Sequence, residues 1–181
     1  MLQKFTVKNF IFLALIAAAF TVSGMLTIPF IMSLGLYGLP HMVTAPFYAF
    51  FSTIALMKVR KPGSLFIAGT LNGLVLFMMS PMMLLMQMSG SLLSELIALL
   101  LFKGYEDKRA VFLASSLYIP LVLPLGVIFN MLIKGGTPAA ILTGEWWAIA
   151  LVYVVAITLS ILGALLGKKI GTELQKAGKL Q

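Results

Sequence analysis

The sequence predicts an all-α integral membrane protein. It reads as a single membrane domain over residues 1–181, with six transmembrane helices and both termini cytoplasmic. Three observations carry this expectation. Of 181 residues, 61% are hydrophobic and only 10% charged, too few charges to cover a water-soluble surface. The stretches 9–57, 62–94, 110–133 and 146–167 carry no full charge, and a helix needs about 20 mostly apolar residues to cross a bilayer. The basic residues alternate in density from loop to loop, as the positive-inside rule requires.

Gly, Pro and charge punctuate the runs. The first is too long for one crossing and breaks in "IPFIMSLGLYGLPH", giving helices near 9–32 and 40–58. "KVRKPG" ends the second helix, and Pro62 and Gly63 open a third near 63–80. Ser80-Pro81 turns the chain into a fourth near 82–102, since proline suits the first helical turn. "KGYEDKR" is a charged loop before a fifth helix near 108–133. "KGGTPAAILTGE" then leads to a sixth near 144–168 and a tail that is amphipathic or frayed. The apolar runs are continuous rather than alternating, which favours helices over strands.

Twelve of the thirteen basic residues fall on one side: Lys4, Lys8, Lys58, Arg60, Lys61, Lys103, Lys108, Arg109, Lys168, Lys169, Lys176 and Lys179. Lys134 stands alone on the other. The net charge of +8 therefore calls for anionic lipid, not nucleic acid, as its counterpart. There are no cysteines, so disulfides and thiolate metal sites are excluded, and one histidine with five acidic residues leaves little for any metal centre.

Polar groups inside a bilayer cost free energy and face protein or a cavity. In the first helix, Ala14, Ala17, Thr21 and Gly24 share a face and Ala14-Ala18 is a small-xxx-small pair, suited to packing within the bundle or to docking another membrane subunit. Asn72, between Gly69 and Gly73, serves an interhelical hydrogen bond or a substrate. Gln87, Ser91, Ser94 and Ala98 form a stripe on the fourth helix. Glu95, the one acid deep in a helix, reads as structural or coupling, with a substrate ligand or proton relay as the alternative. Pro120 and Pro124 loosen the fifth helix, and Asn130 lies near its outer end. Trp146, Ala150, Tyr153, Ile157, Ser160, Ala164 and Gly167 share a face of the sixth; Trp146 and Trp147 form an interfacial belt or an aromatic wall. "MMSPMMLLM" concentrates methionine at the turn between the third and fourth helices, as packing or as the lining of an apolar site.

Absent motifs narrow the function. There is no GxxxxGK[ST] for a nucleotide, no HExxH, and no GxSxG with a usable histidine. No arginine repeat, filter motif or paired broken helices point to a voltage sensor, channel or secondary carrier. An enzyme is not expected and no cofactor is implied. Six short helices suit a binding subunit that works with partners.

Over its whole length the sequence resembles the substrate-binding S components of energy-coupling factor (ECF) vitamin importers. The resemblance rests on the six-helix layout with both termini inside, the alanine-rich "ALIAAAF", and "GSLLSELIALL" in the fourth helix, with "KVRKPG" leading into a Gly-rich third helix. It implies a vitamin-like small molecule bound near the outer face under the connection between the first two helices, here 33–41. It also implies docking on a transmembrane coupling subunit through Ala14, Ala17 and Ala18, with two cytoplasmic ATPase subunits supplying the energy. On that pattern Tyr37, His41, Asn72, Gln87, Asn130, Trp146 and Trp147 are the candidate ligand contacts, and His41 sits at the hinge of the lid or caps the second helix. The lack of charge near this site suits a nearly neutral ligand such as cobalamin; riboflavin, a pyridoxine-type ring or a biosynthetic precursor stay open. A scaffold similar to the cell-shape protein MreD and a small proton-coupled carrier using Glu95 are the competing functions.

Overall fold

The computed structural model describes residues 5–31, 36–135, 137–142 and 145–178. Its elements are α1 (Val7–Ile31), α2 (Leu39–Lys58), α3 (Ser64–Phe77), α4 (Pro81–Phe102), α5 (Lys108–Lys134), a single turn α6 (Pro138–Ile141) and α7 (Trp146–Lys176). Five of these, all but α3 and α6, are long and apolar enough to cross a membrane.

Two boundaries differ from expectation for local reasons. The third helix, expected over 63–80, stops at Phe77. The amides of Met78 and Met79 bond back three residues, to Val75 and Leu76, which tightens the last turn. Ser80 is then extended, as the residue before a proline prefers. At 1.5 Å per residue, the 14 residues of α3 reach only about 21 Å, short of a bilayer's ~30 Å hydrocarbon core. The expected six spans are therefore five span-length helices and one shorter apolar one. The last helix, expected to end near 168, continues to Lys176, because the lysines near its end favour a helix C-terminus and Gln175 Nε2 donates to the Met57 carbonyl at 3.2 Å.

The bundle's core pair is α2 with α7. They run parallel: Gly163, Gly167 and Gly171 meet Pro46, Phe50 and Met57 in turn. A Cβ at Gly163 would overlap the Pro46 backbone, and one at Gly167 would lie 2.8 Å from the Phe50 carbonyl oxygen. Small residues thus let the two backbones touch. The buried face of α7 is Val152, Ala156, Ser160, Gly163, Ala164, Gly167 and Gly171, so Trp146, Ala150 and Tyr153, expected on the same face as Ser160 and Gly167, lie on the exposed side.

α3 and α4 form an antiparallel hairpin. Its foot is fastened by Glu95, whose carboxylate accepts from the Gly63 amide at 2.7 Å, the Phe66 amide at 2.9 Å and the Tyr105 hydroxyl at 2.9 Å. Glu95 therefore caps the N-terminus of α3 from a neighbouring helix. Burial, together with the adjacent carboxylate, pushes the Tyr105 hydroxyl far above the ordinary phenol range. Phe5 lies under Gly63, and Lys58 sits 4.7 Å over the Phe12 ring. These contacts gather the start of α1, the α2–α3 turn, the α4–α5 turn and the end of α7 at one pole. The basic residues of all four segments collect there.

Candidate functional site

At the opposite pole, the segment entering α2 is wedged between α5 and α7. Gly38 has φ +82°, a conformation that favours glycine, and a Cβ there would meet Leu123 at 2.9 Å and Val152 at 3.3 Å. Two cavities flank this segment.

The first, of about 180 Å³, is lined by Gly24, Pro40, His41, Thr44, Tyr48, Leu76, Met79, Met83, Met86 and Gln87. His41, Thr44 and Tyr48 recur at three- and four-residue spacing along one face of α2. Gly24 packs beside the Tyr48 hydroxyl, which a Cβ there would meet in ordinary van der Waals contact at 3.8 Å. The methionines come from the α3–α4 turn and the first turns of α4.

Beneath the cavity runs a buried polar network. Asn72 donates to the Tyr48 hydroxyl at 3.1 Å and accepts from Thr21 at 3.0 Å. Tyr118 donates to Gln87 Oε1 at 2.5 Å. Phe20 stacks on Tyr48 with ring centroids 4.5 Å apart. Satisfied polar groups of this kind hold a unique side-chain arrangement in a low-dielectric interior. Among the described residues that line the two cavities there is no Lys, Arg, Asp or Glu.

The second cavity, about 320 Å³, is a groove between α5 and α7, lined by Tyr37, Gly38, Leu123, Pro124, Val127, Leu142, Trp146, Ile149, Ala150, Val152 and Tyr153. Pro124 cannot donate a backbone hydrogen bond, and the carbonyl it leaves without a helical partner, that of Pro120, is taken by the Tyr153 hydroxyl at 3.1 Å. Tyr37 donates to the Leu123 carbonyl at 2.9 Å. Burial pushes the Tyr37 hydroxyl up to about 12, so it stays a donor at physiological pH.

The expected contacts divide accordingly. His41 and Gln87 line the smaller cavity; Tyr37 and Trp146 line the groove. Asn72 is fully buried and lines neither cavity; it makes interhelical hydrogen bonds, one of its two expected roles, to Tyr48 and Thr21. Asn130 donates to the Gly126 carbonyl of its own helix and lines neither cavity, nor does the exposed Trp147. The expected lid, 33–41, is described only from Leu36 onward; residues 33–35 lie outside the described residues. Ala17 is 3% exposed and packs inward with Thr21 and Gly24. Ala14 and Ala18 do face outward, beside Ile11 and Leu15. Sequence reasoning missed Thr44, Tyr48 and Tyr118, and took Thr21 only as part of a packing or docking face. The His41–Thr44–Tyr48 stripe is a readable signal, three polar residues at helical spacing in the first half of an uncharged run.

This arrangement has known counterparts. The chain shares its fold with a protein of known structure titled "Crystal structure of an S-component of ECF transporter": the TM-score is 0.66, 98% of this chain and 89% of that one are covered, and 23% of residues are identical. Residues 5–172 match the family described as "Hypothetical bacterial integral membrane protein (Trep_Strep)", and the chain belongs to that family of bacterial integral membrane proteins. No curated protein matches it.

Proposed function

We propose that this protein is the substrate-binding subunit of an ECF-type importer, taking up a small, uncharged, vitamin-like molecule. The observation that carries the reading is the cavity under the entry to α2, whose described lining holds no Lys, Arg, Asp or Glu. It combines hydrogen-bonding groups (His41, Thr44, Tyr48, Gln87) with adaptable thioether walls (Met79, Met83, Met86), and a shared S-component fold supports it. A charged ligand would find no counter-ion there, and a buried charge without a partner is costly. Methionine walls suit a ring, through sulfur–aromatic contact. A volume of about 180 Å³ equals roughly six waters at about 30 Å³ each. That favours a single substituted ring over a corrin macrocycle such as cobalamin.

The basic pole faces the cytoplasm and the cavity faces outward. The outward strip of Ala14 and Ala18 receives a transmembrane coupling subunit, which recruits two ATPase subunits. Glu95 offers little to a proton-coupled carrier, since all three of its hydrogen bonds fasten the hairpin foot. The test is uptake into proteoliposomes. With coupling and ATPase subunits present, uptake should require ATP, and a proton gradient applied to this chain alone should drive none. Gradient-driven uptake by the chain alone would refute the assignment.

A further inference from the structure

The network beneath the smaller cavity has a direction, and that direction sets what the cavity offers a ligand. Tyr118 donates to Gln87 Oε1 at 2.5 Å. This occupies the amide oxygen and leaves Gln87 Nε2, which carries two N–H donors, bonded to no described residue. Among the described residues, the side-chain polar atoms that are both sealed from solvent and unbonded are the hydroxyls of Thr70 and Ser160. Gln87 Nε2 is therefore not sealed, and it opens onto the cavity that Gln87 lines. Tyr48, beside Gly24 on the same lining, is in a similar position. Its oxygen accepts from Asn72 at 3.1 Å, and no described residue accepts its own proton. The Tyr48 and Tyr118 rings lie 5.9 Å apart by their centroids, which keeps the two donors on one side of the cavity. Thr44 differs, since its hydroxyl already donates to the Pro40 carbonyl at 3.0 Å. A neutral imidazole at His41 offers one donor and one acceptor and favours neither polarity. Gln87 and Tyr48 are each only 4% exposed, so their donors have little outlet but the cavity, and an unmatched donor in a low-dielectric interior is costly.

We infer that the cavity selects its ligand by a hydrogen-bond acceptor: a neutral ring whose carbonyl-bearing edge faces Gln87 Nε2 and the Tyr48 hydroxyl. This rests on the binding-subunit reading and narrows its substrate class. Cyclic amides, pyridones and other rings with a carbonyl on the edge fit. Rings whose edge carries only N–H donors leave donor against donor and do not. The methionines pack against the ring faces and leave this edge to decide.

The test uses the full chain in lipid nanodiscs and three neutral probes of one shape: 1-methyl-2-pyridone, with a carbonyl acceptor; 2-methylaniline, with an N–H donor; and o-xylene, with neither. Affinities come from ligand-observed saturation-transfer NMR. Each is divided by the probe's partition into empty nanodiscs, so that the cost of leaving water cancels. On this scale the pyridone should bind about tenfold or more better than either of the others. Tyr48→Phe, which keeps the ring that stacks on Phe20, should cut the pyridone-to-xylene ratio about tenfold, and Gln87→Met, close in size, should do the same. A smaller lead for the pyridone over either probe, a preference for 2-methylaniline, no binding by any probe, or a ratio unchanged in both variants overturns the acceptor rule. If vitamins still stabilise the chain in those cases, the binding-subunit reading stands alone. If none does, both fall.

Discussion

Replacing Glu95 with glutamine tests whether this buried acid is a fastening or a working group. In the native hairpin, Glu95 Oε1 accepts from the Gly63 amide and Tyr105, and Oε2 accepts from the Phe66 amide. Glutamine has one oxygen and one NH2. With the oxygen at the Oε1 position two bonds survive, but NH2 then faces the Phe66 N–H, donor against donor. The unsatisfied amide costs about 1–3 kcal/mol. The two surviving bonds lose their charge assistance, which roughly halves them, and a partial charge at the α3 N-terminus loses its counterpart, about 0.3–1 kcal/mol. Burying a neutral amide is easier than burying a carboxylate, which offsets part of this. The net expectation is a loss of about 2 kcal/mol. Equilibrium unfolding in SDS–dodecyl maltoside mixed micelles, followed by circular dichroism, measures it. Tyr105→Phe in the same background should couple to Glu95→Gln by more than about 0.5 kcal/mol. An Glu95→Gln protein of native stability that has lost ligand binding or uptake would refute the fastening role and restore a working one.

Three further outcomes follow from the packing. Gly163→Ala forces the α2 and α7 backbones apart at Pro46 and should destabilise by about 1–3 kcal/mol, whereas Gly104→Ala, with open space around it, should change the unfolding midpoint little. Ala18→Trp should leave ligand binding intact and stop uptake with the coupling subunit, while Ala17→Trp, at a buried position, should fail to fold; loss of binding with normal assembly in Ala18→Trp would contradict the docking assignment. Tyr37 has its folded-state pKa raised to about 12 from 10.0, so its neutral form is favoured by folding. Its contribution is full below pH 10 and is lost as pH rises from 10 to 12. Wild-type stability should therefore fall more steeply than that of Tyr37→Phe in this window, and equal slopes would contradict the burial of the Tyr37 hydroxyl.

Much of the fold was legible because its punctuation is local. Gly38, Gly63 and Pro81 mark turns by their own backbone chemistry, and the charge-free runs between them have no soluble alternative. What failed were boundaries and faces that neighbours decide. The end of α7 reads as a frayed tail because its lysines look like a stop, yet Gly171 and Gln175 find partners at Met57 that the sequence does not place nearby. Ala14, Ala17 and Ala18 are all small; only the position of Thr21 against Asn72 shows which side of α1 turns inward. The site was half legible. His41 stood out as the single histidine in an uncharged stretch, and Gln87 as part of a polar stripe. For Asn72 the sequence offers an interhelical hydrogen bond or a substrate contact without choosing, because its partners Tyr48 and Thr21 lie 24 and 51 residues away.

The binding role itself is most directly tested by thermal stabilisation of the purified chain against a panel of water-soluble vitamins and their neutral and charged derivatives. A ligand that binds only the folded state adds RT ln(1 + [L]/Kd), about 4 kcal/mol at a thousandfold excess over Kd. A substrate-binding subunit should respond to one uncharged ring compound, and Thr44→Phe, which fills the cavity beside His41, should abolish that response while the protein stays folded. No response to any compound by demonstrably folded protein, or an equal response in Thr44→Phe, would contradict it and favour a scaffold.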